Sequence, residues 1–220
     1  IVADMANIPR SQAKVINLGL FYGMGKIKLQ KELSLDSVNA RKLFQTYHGK
    51  VPFVKQLSYA LSDFATEEGL LFTLGDRFCR FNKWETNDKK WNNDKQRFDE
   101  VPLYNSKEQA MDAYKLEQMK KYNELTDPEC EFFDKHYTRA FTYKALNRLI
   151  QGSAADMTKK AMVDLYEKGI VPHIQIHDEL CFSTTDHESK LIKETMEQTM
   201  PLEVKNKVDY ESGVNWGSIK

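Results

Sequence analysis

Apolar residues recur at helical spacing through the first third of the chain. In "IPRSQAKVINLGLFYGMG", Pro9 stands where a helix can begin, and Gly23 and Gly25 can stop it. "SVNARKLFQTYHG" opens near Ser34 or Asp36, sets Val38, Leu43, Phe44 and Tyr47 close to one stripe, and ends at Gly49. "PFVKQLSYALSDFATEEG" repeats the pattern with Phe53, Leu57, Ala60, Leu61 and Phe64 and ends at Gly69. "LLFTLGDRFCRF" reads as a short hairpin turning at Gly75 and Asp76. In the final third, "ALNRLIQGSAADMTKKAMVDLYEKG" lines Leu146, Leu149, Ile150, Ala154, Met157, Ala161 and Leu165 along one helical face. "HIQIHDELCFST" and "VDYESGVNW" read as strands. A mixed α/β (α+β) class follows.

Between these halves the pattern fades. From Trp84 to about Cys130, "WETNDKKWNNDKQRFDE" is followed by the charged helix former "SKEQAMDAYKLEQMKKYNEL", which offers few core positions and reads as a solvated excursion. Trp84, Trp91 and Tyr104 are expected to form a small satellite core there, because interleaved acids argue against a base-stacking platform.

Charge sharpens the division. The 220 residues carry 32 Lys and Arg against 32 Asp and Glu, so a polyanion-binding surface must come from local segregation. Residues 1–30 hold Arg10, Lys14, Lys26 and Lys28 against Asp4 alone, whereas residues 84–130 hold eleven acids against eight bases. Cys79, Cys130 and Cys181 are odd in number and far apart, with no metal-ligand spacing, which suits a reducing, intracellular setting. No apolar run approaches membrane-spanning length and no charged-then-apolar stretch opens the sequence, so neither membrane spanning nor export is expected. Ile1 in place of methionine is expected to mark a start within a longer gene product or a processed end.

Arg10, Lys14, Leu18 and Tyr22 are four apart, so they share a slowly spiralling helix face about 18 Å long. Arginine clamps phosphate oxygens in a fork, lysine adds a compact charge and a transferable proton, and Tyr22 offers an aromatic body with a polar tip. Taken alone, the same spacing equally describes an amphipathic helix with a cationic edge. Near the other end, Asp178 and Glu179 supply hard oxygen donors suited to Mg²⁺. In a strand their side chains point to opposite faces unless a turn intervenes. Asn147 and Gln151, also four apart, present two amides on one side of a helix, suited to minor-groove base atoms or simply to solvent.

Together these features resemble a known family. R-x3-K-x7-YG, here Arg10, Lys14, Tyr22 and Gly23, resembles motif B on the fingers helix of family A DNA polymerases, the DNA polymerase I group. "NRLIQGSAAD", residues 147–156, is similar to that family's palm helix, "IHDEL", residues 176–180, to its motif C, and "ESGVNWG" to its terminal strand. Order and spacing match over residues 1–83 and from 137 to the end. The resemblance implies a right-hand polymerase, with helical fingers over 1–136 carrying an atypical excursion at about 84–130. Residues 137–220 would form the C-terminal part of an antiparallel-sheet palm.

It also implies roles. Arg10 would hold the outer phosphates of an incoming dNTP, Lys14 the inner ones while protonating the departing pyrophosphate, and Tyr22 would sit by the nascent base pair. Asp178 would bind two catalytic Mg²⁺ ions with Glu179 as an outer or weaker ligand. Asn147, Gln151, His177 and Gly23 would contact primer and template DNA. Leu18 stands where the family usually has Phe or Tyr near the sugar, and Lys144 replaces an expected arginine as a phosphate contact. The family's motif A aspartate lies before Ile1, and Asp4 is too close to the helix to replace it. The chain is therefore expected to be the C-terminal portion of a truncated or split enzyme, inactive alone. It would be completed by an N-terminal portion carrying motif A, the thumb and an exonuclease if present, in the cytoplasm of a cell or phage host. A phage-type RNA polymerase fragment and a non-catalytic nucleotide-binding subunit are the rival readings.

Overall fold

Four helices open the chain: α1 (Arg10–Phe21), α2 (Lys26–Glu32), α3 (Ser37–Lys50) and α4 (Pro52–Glu68). The computed structural model describes residues 9–95, 97–122 and 130–218, so Ile1 and Asp4 lie outside the described residues. Pro9, expected as the first helical residue, is instead the N-cap of α1, and the helix starts one position later at Arg10. Ala13, Ile16 and Leu20 of α1, Leu29 of α2, and Leu43 and Tyr47 of α3 form one core. The sequence pattern gives no sign of α2, whose seven residues bury only Leu29 and are too few to show a stripe.

The boundary of α3 is chemical. The Asp36 carboxylate accepts hydrogen bonds from the Val38 and Asn39 amides at 2.8 and 2.9 Å, while Gly49 lies inside the helix instead of ending it. Val38 is exposed, in contrast to its expected place on the stripe. On α4 the expected stripe is displaced too. Val54 and Ala65 are buried, whereas Phe53, Leu57 and Phe64 stand exposed. The helix docks through a narrow small-residue face near Leu61 and leaves its larger side chains on the adjacent one. Gly69, at φ +74°, ends α4 as expected. Next come β1 (Leu70–Phe72) and β2 (Phe78–Arg80), paired through a turn with Asp76 at φ +56°.

The middle segment corrects the expectation of a solvated excursion. β3 (Trp84–Thr86) is the centre of an antiparallel sheet between β6 (Leu103–Tyr104) and β7 (Tyr137–Arg139), with Trp84 opposite both Tyr104 and Arg139. Trp84, Ala110 and Tyr114 of α5 (Lys107–Tyr122), Phe133 of α6 (Cys130–His136), and Tyr137 make a second core, with Tyr104 packed against it. Phe133 and Tyr137 stack at 5.0 Å. Trp91 is not part of it. It sits on a separate hairpin, β4 (Trp91–Asn92) with β5 (Arg97–Phe98), edge to face with Phe98 and 43% exposed.

The chain divides into two units, residues 1–71 with 78–148 and residues 72–77 with 149–220. After a 3₁₀ turn at Thr142–Lys144, the long helix α7 (Ala145–Tyr166) begins in the first and runs into the second. The second unit adds the hairpin β8 (Ile174–Ile176) and β9 (Glu179–Cys181), then α8 (Asp186–Gln198), which opens with a capping box between Thr185 and Glu188. Asp164 of α7 accepts a hydrogen bond from the Thr199 hydroxyl at 2.6 Å beyond the end of α8. "VDYESGVNW" is not a strand. Among the described residues no segment hydrogen-bonds to it as a ladder, and strands need partners; a 3₁₀ turn follows at Trp216–Ser218. No described helix is long and apolar enough to cross a membrane.

Candidate functional site

Burial of Ala13, Ile16 and Leu20 turns the opposite face of α1 outward, so the file of candidate residues is set by the core beneath it. Arg10, Lys14 and Leu18 are exposed, and Tyr22, the C-cap residue, is half-buried with its ring edge to face against Phe21 at 5.4 Å. Gly23 follows at φ +86°, which completes the turn out of the helix. Neither Arg10 nor Lys14 makes an ion pair or side-chain hydrogen bond among the described residues. Two full charges thus face solvent about 6 Å apart along the axis.

In the second unit, Ile176 pairs directly with Glu179, leaving His177 and Asp178 as a two-residue turn. The intervening turn resolves the question of alternation. Asp178 sits at the tip, Glu179 starts β9, and both are exposed without a side-chain partner among the described residues. His177 takes φ +54°, and its carbonyl accepts from Gln175 Nε2 at 3.2 Å. Two adjacent carboxylates suit a hard divalent cation but are too few to complete a coordination shell. Among the described residues no group of three or more His, Cys, Asp or Glu gathers as a metal cluster. Asn147 and Gln151 are exposed on α7, one turn apart. Lys144 is exposed at the mouth of that helix, its ammonium 4.8 Å from the Phe141 ring centre.

A network that the sequence pattern does not announce lies beside Gln151. The turn between β1 and β2 is pinned onto α7 by three groups of "QGSAAD". Asp156 accepts from the Thr73 hydroxyl and from Arg77 Nε at 2.8 Å, and Ser153 Oγ accepts from the Leu74 amide at 3.0 Å. Arg77 Nη2 also donates to the Gly152 carbonyl at 3.0 Å. A Cβ on Gly152 would come within 2.7 Å of the Thr73 methyl, so the close approach needs glycine. Partners separated by 79 residues leave no periodic trace; the signal available was an unpaired Arg77 in a turn and an unpaired Asp156 on an apolar face.

Burial works to raise the Asp156 pKa, but the hydrogen bonds from Thr73 and Arg77 and the charge of Arg77 outweigh it and hold the carboxyl below its usual value. A depressed native pKa stabilises the fold above the unfolded value and ceases to do so as pH falls through the native one. Asp156→Ala is expected to cost about 2 kcal/mol at neutral pH. Urea melts should show this gap closing in acid, below the ordinary value of 3.8.

Comparison with known proteins bears on these motifs. Residues 2–218 match the model of DNA polymerase family A. A DNA-directed DNA polymerase of Pseudomonas phage M6 is 32% identical over 99% of this chain and 30% of its own length. DNA polymerase I of Geobacillus stearothermophilus is 28% identical over 99% of this chain and 21% of its own. The chain thus spans less than a third of the length of these relatives. The POL domain of Pol1 from M. smegmatis, solved in complex with DNA primer-template and dNTP, superposes with a TM-score of 0.58 at 20% identity, covering 93% of this chain and 31% of that one. The likeness extends to the fold, a mixture of helices and antiparallel sheet. Matched by this family's model over residues 2–218, the chain belongs to DNA polymerase family A.

Proposed function

We propose that this chain supplies the fingers and the C-terminal part of the palm to template-directed DNA polymerisation, in which a primer 3′-hydroxyl attacks a dNTP and pyrophosphate leaves. The observation that carries the reading is the α1 face, where Arg10 and Lys14 stand outward, without an ion pair among the described residues, above a buried apolar seam. Exposed cations at one-turn spacing are complementary to a triphosphate tail. Arg10 grips the outer phosphates. Lys14 touches the inner ones and delivers its proton to the leaving pyrophosphate. Leu18 gives the sugar an apolar contact without a flat face, and Tyr22 abuts the nascent base pair, with Gly23 freeing the chain to turn beside it. Asn147 and Gln151 face the minor groove, while His177 and Lys144 meet the primer and its phosphates.

Asp178, with Glu179 beside it, would hold two Mg²⁺ ions, the second site being completed by a carboxylate of the N-terminal portion. Such ions, when bound, lower the pKa of the attacking hydroxyl and neutralise the departing oxygen. The exposed hairpin tip leaves both carboxylates free to take up that duty. The need for a further carboxylate makes the N-terminal polymerase portion a required partner, along with primer-template DNA and dNTP.

Arg10→Ala and Lys14→Ala separate binding from chemistry. In the assembled polymerase, Arg10→Ala should raise the dNTP KM by about tenfold to a hundredfold, the worth of a charge-assisted contact. Lys14→Ala should act mainly on kcat. Steady-state primer extension measures both. An unchanged KM in the Arg10 variant would remove the phosphate-grip reading.

A further inference from the structure

A second cationic recess lies in the first unit, at the border of the segment that the family's motifs leave out. Asn82, Trp84, Asn105, Ser106, Lys107 and Arg139 line a depression of about 290 Å³. No carboxylate lines it. The guanidinium of Arg139 lies 5.0 Å from the Trp84 ring centre and the ammonium of Lys107 lies 5.4 Å from it, so one indole gathers two cations.

Arg139 is held in place and left unneutralised. Its Nε donates to the Thr66 carbonyl and its Nη1 to the Phe81 carbonyl, each at 3.1 Å. Neither acceptor carries charge. A guanidinium has five N–H donors, and the remaining ones have no acceptor among the described residues. Gly69 packs flat against it, since a Cβ there would come within 2.5 Å of Arg139 Cζ. Lys107 has Asp134 at 3.4 Å, but both side chains are well exposed, so that pair is weak. Glu67 and Asp134 line a neighbouring recess of about 300 Å³, which shares Trp84, Lys107 and Arg139. The carboxylate-free side is the one open to an anion.

We propose that this recess binds a phosphate group. Arg139 offers its open fork, Lys107 a mobile point charge, and the Asn82 and Asn105 amides neutral hydrogen bonds at the rim, while the Ser106 hydroxyl is taken up by Glu108 and the Gln109 amide. The side-chain amides of Asn82 and Asn105 have no partner among the described residues. A half-buried guanidinium without a counter-charge loses solvation that an arriving oxyanion restores. The phosphate comes either from a nucleic-acid strand or from a free phosphate compound. The proposal does not depend on the α1 site or on the Asp178 hairpin.

Nuclear magnetic resonance of the ¹⁵N-labelled chain tests it through the Arg139 Nε–H and Trp84 indole N–H signals. Inorganic diphosphate and a single-stranded oligothymidylate are titrated separately. Both signals should shift saturably with at least one of them. A response to diphosphate assigns a free phosphate, and a response to the oligonucleotide alone assigns a strand. Lys107→Gln and Asn82→Asp, both at the accessible rim, should each weaken that binding by about tenfold while the rest of the spectrum stays in place. If neither compound moves the two signals, or if both variants bind as tightly as the parent, the recess is not a phosphate site.

Discussion

Asp178→Ala in the assembled polymerase is expected to slow primer extension by about a thousandfold, equivalent to roughly 4 kcal/mol of transition-state stabilisation. The loss should fall on kcat, because the α1 face is the proposed grip on the dNTP and the proposed role of Asp178 is to hold the ions that act as charge develops. Stability should hardly change. The side chain is exposed at a hairpin tip and bonds to nothing among the described residues, so its removal takes no contact from the fold. Rapid-quench measurement of single-turnover extension, alongside a thermal melt, separates these effects. Near-normal extension by a folded variant would dismiss Asp178 as a metal ligand.

The largest stability effect should come from Phe133→Ala. Its side chain is 0% exposed, stacks on Tyr137, and lies within 5.7 Å of the Trp84 ring and 6.2 Å of Tyr114, centre to centre. Truncation removes the shared partner of three aromatic rings, and those rings belong to strands and helices that cannot all move inward to refill the space. A cost of about 3–5 kcal/mol follows. Urea unfolding followed by near-ultraviolet circular dichroism reports on these rings directly. A loss below about 1 kcal/mol would mean that the cluster adds little to the fold.

What could be read from residues alone was what depends on neighbours in sequence. The file on α1 follows from the alternation of Ala13, Ile16 and Leu20 with Arg10, Lys14 and Leu18. The glycine stop of α4 is likewise local, whereas the stretch around Asp178, read as a strand, is two strands of a hairpin turning at His177 and Asp178. The second core was hidden because its members come from separated segments. Among the described residues of the charged stretch after Ser106, Ala110 and Tyr114 are buried with Met111 packed against them, and they find Phe133, Tyr137 and Trp84 from outside it. One alanine and one tyrosine make no recognisable stripe. Chemistry failed to show for the same reason: Thr73, Arg77 and Asp156 each look like solvated polar residues until the turn and the helix meet. The terminal "VDYESGVNW" shows the converse, a stretch with strand-forming composition and no described partner to pair with.

Arg139 ties the middle segment to the elements before it. Its guanidinium satisfies the carbonyl oxygens of Thr66 in α4 and Phe81 just past β2, while its own strand pairs with β3. Excising residues 84–136 would strip away the indole and the partner strand that hold this arginine, leaving it free to drift from its two acceptors. The middle segment is therefore welded to the elements before it, and shortening it safely would require other contacts to keep that one side chain in place.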